Sequence, residues 1–211
     1  MTPMTDETPR PAATPVPPVP DAPVPAPPAP APPLTPVQVA LAGAVREIER
    51  HVATAGWDGP VRVFALVRTA AALDASPELA DQLPPDVVAA AQSDPTHLTS
   101  VEQEGLPPAT DLEELLGGLL WPGTVDGAAV VVERVMLPPA AEEEMPADDD
   151  AALAYLMAHP DRQDVRIAVG ALRTGESWTA LRTRAHDADA DVAVGPDLVP
   201  GLLEALRATF S

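Results

Sequence analysis

Residues 165–183 read VRIAVGALRTGESWTALRT, Val165 through Thr183. Two apolar runs, 165–172 and 177–183, flank Arg173-Thr174-Gly175-Glu176, and this pattern predicts a β-hairpin. Gly175 supplies the positive φ of a tight turn, and the strands beside it must run antiparallel. Arg173 and Glu176 are placed to face each other across its mouth. Val165, Ile167, Val169 and Ala171 fall on one face of the first strand. Arg166, Ala168 and Gly170 fall on the other, where the small residues allow another backbone to approach closely.

Working outward, residues 128–137 form the strongest strand in the chain, stopped by Pro138-Pro139. Residues 61–67 are apolar on both faces except for Arg62, as in an interior strand. Helix signals lie between these runs. Thr35-Pro36-Val37-Gln38 combines an N-cap, a proline at the first position and a capping-box glutamine. Val37, Leu41, Ala44, Val45, Ile48 and Val52 then make one stripe that ends at Gly56. Thr69 caps a short Ala-rich helix, and Asp86 caps another through Ala91. Thr110 and Glu113 read as a capping box for a helix burying Leu112, Leu115, Leu116, Leu119 and Leu120, which Trp121-Pro122-Gly123 stops. The acidic run 142–150 leads into a helix over 151–159. Asp197 caps a last helix that turns Leu198, Leu202, Leu203, Leu206 and Phe210 inward. Residues 82–109, with five prolines, read as irregular. The order is that of an α+β domain with a mixed or antiparallel sheet of four to five strands.

Residues 1–33 are a different polymer. They hold 14 of the chain's 29 prolines and no Leu, Ile or aromatic residue. Such a segment cannot bury enough apolar surface to offset its ordering entropy, so a disordered tail is expected, followed by one domain over 34–211. The chain has no Lys, Asn or Cys and only two Ile, a composition of GC-rich coding. The lack of Cys excludes disulfides and thiolate chemistry. Net charge is −20. That field repels phosphate backbones and anionic lipid headgroups, so neither nucleic acid nor a membrane is an expected partner. No apolar run approaches the ~18 residues of a membrane span, and no signal peptide opens the chain; a cytoplasmic protein is expected.

Candidate chemistry is sparse. Asp187, Asp189 and Asp191 alternate as the start of a calcium loop does. Val192 and Leu198 stand where that motif requires Gly and Glu, so a solvated loop competes with a divalent-cation site. Glu102 and Glu104, with His97, form a candidate ligand-binding set in the 82–109 connection. His51 and His159 fall at helix C-termini, where the helix dipole favours a cation. No serine lies in G-x-S-x-G, and without Lys no phosphate-binding P-loop exists, so no cofactor is expected. The functional expectation is a non-enzymatic protein-interaction module, an adaptor or chaperone-like protein with a protein partner. The alternative is a small-ligand binder or enzyme with its site in residues 82–109.

Several strings together, Gly56-Trp57-Asp58, Phe64-Ala65-Leu66-Val67, Val101-Glu102-Gln103-Glu104-Gly105-Leu106-Pro107, Val131-Val132-Glu133-Arg134, His159-Pro160-Asp161-Arg162 and Gly195-Pro196-Asp197-Leu198-Val199-Pro200-Gly201, resemble a family of small conserved cytosolic proteins of actinobacteria without assigned function. The resemblance runs from Leu34 to the C-terminus and carries no catalytic residue over.

Overall fold

The computed structural model describes residues 33–210; the expected tail therefore lies outside the described residues, apart from Pro33. The elements in order are α1 (Pro36–Ala53), β1 (Arg62–Arg68), α2 (Thr69–Ala75), α3 (Pro85–Ser93), β2 (Leu98–Glu102), α4 (Leu112–Gly117), β3 (Gly127–Met136), α5 (Pro139–Glu143), α6 (Asp149–Ala158), β4 (Gln163–Leu172), β5 (Ser177–Thr183), β6 (Ala193–Gly195) and α7 (Pro200–Ala208). The fold is α+β. Its sheet has six strands in the order β2-β1-β3-β4-β5-β6, antiparallel at every pairing.

The sheet has one strand more than the four to five expected, and two of its six strands lie where the sequence predicts none. β2 lies inside the stretch read as irregular, and β6 inside the loop before α7. Neither has an internal signature. β2 buries only Leu98 and takes its register from β1; β6 is three residues long.

The hairpin forms as read. Gly175 has φ +107°, and its N–H donates to Leu172 O at 3.0 Å. Arg173 does not face Glu176. Its Nε donates to Val125 O (3.0 Å), Nη1 to Phe210 O (3.1 Å) and Nη2 to Trp121 O (3.1 Å), so it ties the hairpin to the C-terminal end. Three carbonyls fixed in one place fill the guanidinium fork, and the Glu176 carboxylate accepts from Thr174 Oγ1 instead.

The alternation of β4 decides the layers. Leu41, Val45 and Ile48 of α1 pack over Ala129, Ala168 and Ala180 on one face. A β-carbon on Gly170 would lie 2.5 Å from Val45 Cγ2, so the glycine is what lets α1 sit this close. The opposite face, with Val130, Val165, Ile167 and Val169, is covered by Leu115 and Leu116 of α4 and by Leu203 and Leu206 of α7.

Helix starts show how local chemistry sets boundaries. Thr35 Oγ1 accepts from Gln38 N (3.2 Å) and Gln38 Oε1 from Thr35 N (2.9 Å), the expected box. For α4 the cap falls one residue later, on Asp111, and the glutamate bonds the residue before it. Asp111 Oδ1 accepts from Glu114 N, and Glu114 Oε2 from Thr110 N, each at 2.8 Å. The helix then stops at Gly117-Gly118, short of Trp121, because two glycines forfeit roughly 1 kcal/mol each of helix propensity. Leu120 is therefore 90% exposed instead of buried. α7 likewise begins at Pro200, three residues past Asp197, and Leu198 stays outside the core.

Candidate functional site

The residues singled out by sequence do not converge. His97 precedes β2 with Nδ1 2.8 Å from Thr69 Oγ1, and it lines a hollow of about 360 Å³ with Glu47, Asp86 and Thr99. Glu102 ends the same strand, ~16 Å further on at the rise of a strand. It is paired with Arg62, Nε to Oε1 at 2.5 Å, and that hydrogen bond holds its carboxyl below the usual carboxylate range. Glu104 is exposed in the following loop. A shared acid–base pair needs contact distance, and this arrangement does not provide it.

Asp187 and Asp189 meet on one guanidinium, Arg182, whose Nη1 donates to Asp187 Oδ1 at 3.4 Å. Asp187 accepts from Trp57 Nε1 at 3.1 Å, and Asp189 from Arg182 Nη2 at 2.7 Å. The Arg182 contact keeps Asp189 below its ordinary pKa. Asp191 is exposed in a 3-10 turn. Among the described residues no three His, Asp or Glu side chains gather as a metal set. Guanidinium groups take the oxygens that a cation would need.

Those guanidinium groups belong to a buried charge network that the sequence reading missed. Arg166 and Arg182 stand directly opposite in the β4–β5 register and are 1% and 3% exposed. Glu49 of α1, also buried, accepts from Arg182 Nε (2.6 Å) and Nη2 (2.8 Å), and lies 4.0 Å from Arg166 Nη1. Arg166 Nη2 also donates to Gly56 O and, at 2.8 Å, to Glu133. The Trp57 ring lies between Arg166 and Arg184, with guanidinium carbons 4.4 and 5.0 Å from its centroid. Two opposed cations need the carboxylate between them, so this network fixes the end of α1 to the sheet. The signal was present. Glu49 sits at the apolar spacing Val45, Ile48, Val52, and both arginines interrupt apolar strands.

The open apolar surface lies on the other face. Between α4 and α7 runs a groove of about 480 Å³, floored by Val132 and Ile167 and walled by Leu112, Leu116, Leu202 and Ala205. Asp111, Glu113 and Arg134 are its charged rim. Arg134 forms no ion pair among the described residues. Past Leu116 the surface continues as a second hollow of about 330 Å³, bordered by Leu119, Leu120 and Ala208. Its lining offers area for an apolar guest and only two carboxylates and one guanidinium at the edge.

A family model described as PPA1309-like protein matches residues 41–211. The chain belongs to the PPA1309-like protein family. The description names no activity. No curated protein and no solved structure matches the chain. The span assigned to the PPA1309-like family contains every string that carried the sequence resemblance, together with the whole sheet, the charge network and the α4–α7 groove.

Proposed function

We propose that this chain is a non-enzymatic protein-interaction module, adaptor or chaperone-like, that seats an apolar helical segment of a partner in the groove between α4 and α7. The observation that supports this reading is an apolar groove with a sheet floor that continues to Leu120, a leucine left 90% exposed beside it. Burying one such side chain yields about 1.5–3 kcal/mol, so two or three anchors do little more than offset association costs of about 4 kcal/mol or more, and micromolar affinity needs the rest of the groove's apolar lining as well. Composition and resemblance support an actinobacterial cytoplasmic protein; among the described residues no helix is long and apolar enough to cross a membrane.

The test is site-specific photocrosslinking in the native cytosol, with the crosslinker placed at Leu120 or Ala205 and, as control, at the exposed Val39 of α1. A discrete adduct from the groove positions and none from Val39 supports the reading. Indiscriminate or absent adducts sink it.

A second reading keeps the 82–109 connection as a small-ligand site. It is favoured by the hollow beside His97, whose Nδ1 is fixed by Thr69 and whose other wall carries Glu47 and Asp86. A metabolite giving a saturable thermal shift that is lost in His97→Ala would establish it; no such metabolite would remove it.

A further inference from the structure

α6 is apolar along eight consecutive residues, Ala151 to Ala158, yet it contributes no buried residue. Leu153 is 59% and Met157 53% exposed, one turn apart on a shared stripe with Ala154 and Ala158. Met145, at 43%, lies exposed in the segment that leads into the helix. An isolated helix of this length is marginal in water, and a helix apolar all round is ordinarily covered. Here its support is terminal. Asp148 Oδ1 accepts from Ala151 N at 3.0 Å, and Arg162 Nη1 donates to Met157 O at 3.2 Å. Ala152, Tyr155 and Leu156 are half-buried on its inner side, whereas Leu153, Ala154, Met157 and Ala158 are left uncovered.

The approach to the helix identifies what covers it. Glu142, Glu143, Glu144, Asp148, Asp149 and Asp150 are all exposed, and none is in an ion pair among the described residues. A second copy would set six carboxylates against six more, which disfavours a symmetric dimer through this surface. An anionic membrane is repelled for the same reason. An apolar segment carrying Lys or Arg answers both features at once: aliphatic side chains for Leu153 and Met157, cations for the acidic run. Methionine adds an adaptable surface that accepts varied apolar shapes.

We propose that α6 and its acidic approach form a docking surface for a basic amphipathic helix of another protein, separate from the α4–α7 groove. The probe is a fluorescent leucine–lysine peptide of about 16 residues with helical apolar spacing, titrated against the full chain by anisotropy. Saturable binding is expected, weakened at least roughly tenfold in a Leu153→Asp, Met157→Asp variant and unchanged in Leu120→Asp. The substituted positions are exposed, and an unaltered circular dichroism melt confirms that the variants fold. No binding, equal binding of a serine–lysine peptide of the same charge, or equal binding of a leucine–glutamate peptide each overturns the proposal. Loss in Leu120→Asp alone overturns it while leaving the groove reading intact. Self-association abolished by the α6 variant would assign the surface to a second copy and overturn it as well.

Discussion

At the scale of single residues, the same substitution has opposite signs in two glycines. Gly43 is exposed within α1, with nothing within 4 Å of where a β-carbon would stand. Gly43→Ala should therefore stabilise by about 0.5–1 kcal/mol, the ordinary gain in helix propensity. Gly170 faces Val45 Cγ2 at 2.5 Å and Leu41 Cδ1 at 3.2 Å, so Gly170→Ala must displace α1, at about 1–3 kcal/mol. Urea titration of both variants checks the pair, and two shifts of the same sign would contradict the packing described. Gly175→Val is strained for a different reason, its φ of +107°, and should cost about 1 kcal/mol or more even though the space around it is open. The largest single-residue effect is expected at Glu49. Glu49→Ala leaves Arg166 and Arg182 opposed and buried without their shared carboxylate, at about 3–5 kcal/mol. A melt shifted by only a degree or two would show that Glu133 and Asp189 neutralise the pair without it.

At the scale of elements, α7 is the test of how the two faces depend on each other. It covers β4 through Leu203 and Leu206, which are 3% and 0% exposed, and Arg173 binds the chain just beyond it at Phe210 O. A fragment of residues 34–196 should lose cooperative melting, whereas Leu206→Ala alone should cost about 2–5 kcal/mol. A soluble fragment with a sharp transition would make α7 an accessory and place the core under α1. The elements that were legible in the sequence share one property: their signal is complete within a few residues. The hairpin carries its alternation and turn glycine, and α1 carries its cap and stripe. β2 was not legible because Leu98-Thr99-Ser100-Val101-Glu102 has one buried residue and is defined by its neighbour's edge. The groove was half legible. Its leucines were recognised as an apolar face, but the stop at Gly117-Gly118 that leaves Leu120 outside was read four residues late. For α6 the sequence showed apolar residues and an acidic cap, which are the same whether a helix is buried or bare; only the tertiary arrangement shows that the side with Leu153 and Met157 is left uncovered.

At the scale of the whole molecule, charge decides the response to solution conditions. Thirty-two carboxylates face twelve arginines, giving −20 at neutral pH. Two of the arginines, Arg166 and Arg182, lie in the buried network, shielded from solvent ions, while the acidic run 142–150 forms no ion pair among the described residues. Salt screens exposed charges over a Debye length of ~8–10 Å at moderate ionic strength and buried pairs much less. Added salt therefore relieves repulsion without dissolving the network, and the melting temperature at pH 7 should rise with sodium chloride. The acid limb has the opposite cause. Glu102 is lowered by its hydrogen bond to Arg62 and Asp189 by its bond to Arg182. A carboxyl with a depressed folded pKa stabilises above its unfolded value of ~4 and loses that contribution as pH falls through the lower one. Stability should thus hold down to about pH 4 and drop below it. Near the isoelectric point of about 4.2 the net repulsion is gone, so the gain from salt should vanish there. Differential scanning fluorimetry over a grid of pH and salt reads both limbs together. A melting temperature that falls with salt at pH 7 would mean that exposed ion pairs such as Arg184–Asp58 outweigh the excess of like charge.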